Sequence, residues 1–189
     1  MEKTIGKYKV ETIHDTEPFD PRDDDNLGTM ICFHNRYVLG DKHDYLSSDY
    51  DGWEEMESDI IKKENVAVIL PLYLYNHSGI TIATTPFSCP WDSGQVGFII
   101  ISKEKVRHEF SMKRISKQML GKIKGYLESE VKLYDQYLIG DAFGYRITDT
   151  ETDVEVDSCW GYFGEDHCME EAESITKHII AYENKELVE

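Results

Sequence analysis

Three groups of residues in this chain have types and spacing that could do chemistry. The first is Asp23-Asp24-Asp25 followed by Asn26, a run of the hard oxygen donors that calcium or magnesium takes. With His34, His43 or His77 as a further ligand or general base, it would suit a metal-dependent hydrolase. Hard cations need ligands converging from suitable intervals, however, and the Asp-x-Asp-x-Asn-Gly…Glu loop of an EF-hand is absent, so three solvated carboxylates are the simpler account.

The second group is Ser88-Cys89-Pro90-Trp91-Asp92-Ser93-Gly94, where Cys89 would become a thiol nucleophile if the fold brought His34 or His77 beside it. The competing account is a tight turn with Trp91 plugging the core and Gly94 at positive φ. Cys159-Trp160-Gly161 carries the same ambiguity. The third group is Glu151, Asp153, Glu155 and Asp157, acids at every second residue. On a strand they would share a face about 6.6 Å apart, close to the separation of successive phosphates along a nucleic-acid strand. A turn at residues 149–153 would break that row and leave only Glu155 and Asp157 aligned.

Catalytic signatures are otherwise missing. There is no GxSxG elbow, HExxH helix, P-loop or GxGxxG fingerprint. The four cysteines form no CxxC pair, and free thiols are expected in a chain without the layout of a secretory leader. No apolar run approaches the roughly 18–20 residues of a membrane span, so a cytoplasmic protein is expected. No catalytic residue, metal or cofactor is assigned, and binding is favoured over catalysis.

The net charge of −17 is unevenly placed. Residues 15–59 carry −11, residues 149–173 carry −10 with no Lys or Arg, and residues 60–148 carry +4. Two acidic poles thus flank a mildly basic middle, whose cations concentrate at Lys103, Lys105, Arg107, Lys113, Arg114, Lys117, Lys122 and Lys124. Self-repulsion at the poles costs stability, so the acidity implies a compensating benefit, either solubility or binding to a partner. The candidate partner-binding residues are Asp23, Asp24, Asp25, Glu54, Glu55, Glu151, Asp153, Glu155 and Asp157. As an alternative, a stripe of Lys113, Arg114, Lys117, Lys122 and Lys124 could contact nucleic acid, DNA included.

These residues need a scaffold, and 12 Tyr, 7 Phe and 3 Trp give the chain more aromatic surface than acidic disordered segments have. Residues 8–14, 28–34, 66–75, 80–85, 96–102, 142–148 and 154–162 read as strands, from β-branched and aromatic enrichment or alternation. Residues 66–75 and 80–85 form a hairpin across Asn76-His77-Ser78-Gly79, and the continuous apolar run at 66–70 suggests a strand covered on both faces. Residues 15–26 and 35–51 are irregular.

Helices are expected over 53–64, from 103 with Ser102 as N-cap, from Ser116 to about residue 138, and over about 166–182. The long helix from Ser116 carries Gly121 and Gly125, which would let it lie closely across a sheet. The last is expected to bury a stripe of Met169, Ala172, Ile175, Ile179 and Tyr182. The fold class is α+β, a mostly antiparallel sheet of about six to seven strands with three or four helices, one long helix packed across it. Residues 1–189 are read as a single domain.

The blocks Arg22-Asp23-Asp24-Asp25-Asn26-Leu27-Gly28, residues 30–34 and 71–85, Pro90-Trp91-Asp92-Ser93-Gly94-Gln95-Val96-Gly97 and Asp157-Ser158-Cys159-Trp160-Gly161 resemble a widespread family of small acidic, mostly uncharacterised proteins of phages and mobile elements. A protein of this size and charge is also similar to anti-CRISPR and other anti-defence inhibitors, Cas9 inhibitors among them. That resemblance implies a partner in a host nucleic-acid-handling protein such as a CRISPR effector, bound without an active site and without a membrane.

Overall fold

A computed structural model describes residues 1–186 of the chain. Among the described residues the fold is α+β, with four α-helices and eight strands in two four-stranded antiparallel sheets. The residues fall into two compact units, Pro21–Asp135 and a second formed by Met1–Asp20 with the chain from Gln136 onward. Among the described residues no helix is long and apolar enough to cross a membrane.

In the Pro21–Asp135 unit, β3 (Thr29–Cys32), β4 (Val66–Asn76), β5 (Ile80–Ala83) and β6 (Ser93–Ser102) lie in the order β3-β6-β4-β5. The expected hairpin at 66–85 forms, with Tyr73 opposite Ala83 and Asn76 opposite Ile80. β4 is interior, yet the strand buried on both faces is β6, from Val96 to Ile101. The reason is that β5 pairs β4 only from Tyr73, so the apolar run at Val66 has β6 on one side alone. Pro71, which donates no ladder bond, is tolerated because it precedes that second pairing.

On one face, Ile31, Phe98 and Ile100 join Met56 and Ile60 of α1 (Trp53–Lys63), and Trp53 meets Phe98 edge-on at 5.8 Å. α2 (Lys103–Glu109) starts at Ser102, whose side chain accepts the Lys105 N–H as an N-cap. α3 (Lys117–Leu138) buries Ile123, Leu127, Val131 and Tyr134, the helical stripe expected. Its glycines do something other than predicted. A Cβ at Gly121 or Gly125 would meet nothing within 4 Å, so both face open space. The close approach is made instead at Gly28, where a Cβ would strike Leu127 of α3 and Ile99 of β6.

In the other unit, β1 (Glu2–Ile5), β2 (Tyr8–His14), β7 (Ala142–Asp149) and β8 (Val154–Phe163) form the sheet β1-β2-β7-β8. α4 (Glu165–Glu186) covers one face, burying Cys168, Met169, Ala172 and Thr176 against Tyr8, Val10, Tyr145 and Ile147. Ile175 and Ile179 also pack on that core, but Tyr182 is 65% exposed and leaves the expected stripe. The strand total is thus eight in two sheets rather than about six to seven in one, because β1 was not anticipated and the hairpin β7–β8 joins the N-terminal strands.

Candidate functional site

The acidic loop of the Pro21–Asp135 unit is built around an arginine. Pro21–Asp23 forms a single 3-10 turn with Pro21 buried, and the Arg22 side chain, 4% exposed, turns inward. Its guanidinium donates to both oxygens of Asp41 at 2.9 and 2.5 Å, to Glu130 Oε2 at 3.2 Å and to the Gly28 carbonyl at 2.8 Å. Burial alone would push the Arg22 pKa down. The hydrogen bond to Asp41 and the charges of Asp41 and Glu130 outweigh it and hold the group above the ordinary arginine value.

The two carboxylates are themselves anchored. Asp41 Oδ2 accepts the Met30 N–H at 2.7 Å, and Glu130 accepts those of Leu27 at 2.7 Å and Gly28 at 3.1 Å. Asn26 closes the turn by donating to the Pro21 and Asp24 carbonyls, and Lys105 Nζ donates to the Asn26 carbonyl. The loop is therefore fixed from within, while Asp23, Asp24 and Asp25 are exposed and their side chains take no partner among the described residues. In the same unit Glu54 and Glu55 lie in the first turn of α1, where negative charge suits the helix dipole. Glu55 also accepts the Asp51 N–H at 2.7 Å, a capping task, which leaves Glu54 the freer of the two.

The acidic row of the other unit does not survive. Residues 150–153 form the turn, with Asp153 at φ +57°, and a bulge beside Thr148 resets the register of β8. Glu155 then pairs with Arg146 at 3.0 Å, whereas Asp157 accepts the Tyr145 hydroxyl at 2.7 Å. Arg146 and Tyr145 are adjacent on β7 and point to opposite faces, so the expected alignment of Glu155 and Asp157 is overturned. Burial and the Asp157 hydrogen bond push the Tyr145 pKa up. Only Glu151 and Asp153 remain exposed without a side-chain partner among the described residues.

Among the described residues no three His, Cys, Asp or Glu groups converge as a metal site would require. His34 Nδ1 accepts the N–H groups of Arg36 and Tyr37, a turn-forming role. His43 Nε2 lies 3.0 Å from the Cys32 carbonyl, and its Nδ1 is buried without a hydrogen-bond partner among the described residues. Cys89 Sγ lies 3.6 Å from Asp92 Oδ2, and the same oxygen is 3.3 Å from His77 Nδ1, so a carboxylate stands where a thiol–imidazole pair would be needed. Burial pushes the Cys32 thiol up to about 12 and the Cys168 thiol to about 11, which suppresses the thiolate in both.

Trp91 does not plug the core. It is 91% exposed, and Gly94 is absent from the positive-φ residues, because β6 begins at Ser93 and the turn is closed by Ser93 Oγ donating to the Cys89 carbonyl at 2.5 Å. Trp160 is likewise half exposed, lying across Gly144.

The basic residues divide rather than form one stripe. Lys113 and Arg114 line a cavity with Lys103 and Arg107. Lys117 and Lys124 lie on α3 about 20° apart around its axis, but Lys122 is about 140–160° away from both. Lys124 is also drawn to Glu128 at 3.7 Å. Sequence reasoning passed over Glu130 and the anchoring role of Arg22. The one available signal was an arginine in a stretch with only two other cations. Compared with known proteins, the chain matches no family model, no curated protein and no solved structure.

Proposed function

We propose that the chain is a non-catalytic binding protein that engages a basic, nucleic-acid-handling partner through carboxylates held where phosphates would otherwise sit. The observation that carries this reading is the loop at residues 22–28, in which Arg22 and Asn26 fix the backbone while Asp23, Asp24 and Asp25 face solvent unpaired among the described residues. Three neighbouring carboxylates without a compensating cation repel one another, and a basic partner would relieve that repulsion. A rigid loop also loses little entropy on binding, which raises affinity for a given set of contacts. Glu54 is a further exposed acid of the same unit that can extend the contact, and Glu151 and Asp153 are exposed acids of the other unit.

An inhibitor of a host defence protein carried by a phage or mobile element, the anti-CRISPR type included, is the biological form of this reading. The test is affinity capture from a bacterial lysate at low salt, with the wild-type chain and D23K/D24K/D25K immobilised in parallel. A basic nuclease or nucleoprotein retained by the wild type, released by salt and missing from the variant is the expected outcome. Identical retention on both surfaces would remove these carboxylates from the account.

A further inference from the structure

We propose that the cavity between α2 and the start of α3 binds a compact oligophosphate anion. Lys103 and Arg107 reach it from α2, one helical turn apart, and Lys113 and Arg114 reach it from the connection that follows. Ala67, Ile115 and Leu120 supply apolar wall, and the volume is about 410 Å³.

The charges make this cavity unusual in a chain of net −17. No Asp or Glu lines it. Several cations elsewhere sit on carboxylates, among them Lys7, Arg22, Lys63 and Arg146. Of the four cations that line the cavity, Lys103 donates to a neutral group, the Asn65 side-chain oxygen at 3.2 Å, and Arg107, Lys113 and Arg114 have no side-chain partner among the described residues. Glu104 and Glu109 lie on the same helix but do not line the cavity, and Glu109 is paired with His108, so the four cations are the charges nearest a ligand held there.

The chain is bent to assemble them. Ser111 adopts φ +48°, a region few non-glycine residues enter. The N–H of Ser111 donates to His108 and that of Met112 to Arg107, reversing the backbone after α2 and returning residues 113 and 114 toward residues 103 and 107. The first turn of α3 then carries Lys117 and no acid, whereas α1, α2 and α4 open with Glu54, Glu104 and Glu165. Ile115 and Leu120 bracket that turn and line the cavity, so the positive end of the helix dipole, with its Met119 N–H capped by Ser116, adds to the potential there.

Two guanidinium forks and two ammonium groups suit a ligand with several phosphoryl oxygens. The volume falls in the range of small-ligand sites, and the apolar wall can receive a base or sugar. Titration calorimetry of the full chain in about 50 mM salt, where screening is weak, would use inorganic triphosphate, ATP and a short single-stranded oligonucleotide as probes. Binding of triphosphate or ATP, weakened at least about tenfold in R107E/R114E and unchanged in K122E/K124E, is expected.

ATP binding more tightly than triphosphate would identify a nucleotide, and equal affinity a bare phosphate chain. Circular dichroism checks the fold of each variant, and R107Q/R114Q, which removes charge without reversing it, should give the same ordering. No heat with either compact probe, equal weakening in both charge-reversed variants, or binding by the oligonucleotide alone would overturn the proposal.

Discussion

Replacing Arg22 by methionine should destabilise the Pro21–Asp135 unit more than any other single exposed-loop change. The side chain is 4% exposed and its two carboxylate partners are 21% and 16% exposed. R22M therefore leaves Asp41 and Glu130 facing each other in a partly dry site with no cation. Removing one member of a buried pair costs about 3–5 kcal/mol. The partners retain some water and the Met30, Leu27 and Gly28 N–H groups, which places the cost at the lower end, about 3 kcal/mol.

For a unit of this size that corresponds to a fall in melting temperature of about 10 °C. R22K keeps the charge but loses the fork that spans both Asp41 oxygens, so about half the loss should remain. Urea and thermal denaturation of the three proteins, followed by circular dichroism, read the free-energy loss and the melting temperature. An R22M protein that melts within about 2 °C of wild type would refute the argument that this network holds the acidic loop.

Three further outcomes follow from the same structure. G97A should be severely damaging, about 3 kcal/mol or more, since its Cβ would lie 1.9 Å from the Ile31 carbonyl oxygen and only separation of β3 from β6 could relieve it; soluble yield and melting temperature report it. W91A should change stability by less than about 0.5 kcal/mol, because the indole is almost fully exposed, and an equilibrium denaturation curve superimposable on wild type is the expected result.

Acidification should destabilise the unit that contains α4. The Asp149 pKa is lowered by Lys7 and by the Glu151 and Thr152 N–H groups, that of Glu173 by Lys3, and that of Glu183 by the Tyr8 hydroxyl and Lys7. A native pKa below the unfolded value gives stability that is complete above the ordinary carboxylate range near 4 and lost as pH falls through the native value. Denaturation midpoints should thus hold from pH 7 to about 5 and fall below about 4.5. A steady rise in stability down to pH 3.5, as relief of the net negative charge alone would produce, would contradict these assignments.

Local signals carried much of the fold. Both hairpins and all four helices lie close to where alternation, helical spacing and the Ser102 and Ser116 caps put them. What stayed hidden was long-range. β1, Glu-Lys-Thr-Ile, is short and largely exposed, so no hydrophobic pattern marks it. The pairing of Val10 with Ile147 joins distant parts of the chain, and no turn chemistry announces it. The division into two sheets followed from that pairing and was equally hidden.

The candidate acids show the same limit. Their positions were legible, but whether each was free depended on partners elsewhere. Glu155 is taken by Arg146 and Asp157 by Tyr145, across a hairpin whose bulge has no sequence mark. Asp23, Asp24 and Asp25 take no part in the network that Arg22 makes with Asp41 and Glu130. The exposed Trp91 was misjudged because a Trp-Gly turn can be closed by backbone and hydroxyl bonds without burying the ring.

The most direct test of the central claim is competition for the partner's nucleic-acid site. A fluorescently labelled oligonucleotide is bound to the captured basic partner, and its anisotropy is followed while this chain is added. The account predicts that anisotropy falls to that of the free oligonucleotide with the wild type, that D23K/D24K/D25K fails to displace it, and that raising salt weakens the effect. Anisotropy that stays constant or rises with the wild-type chain would mean that both ligands bind together, and would contradict the claim that these carboxylates occupy a phosphate site.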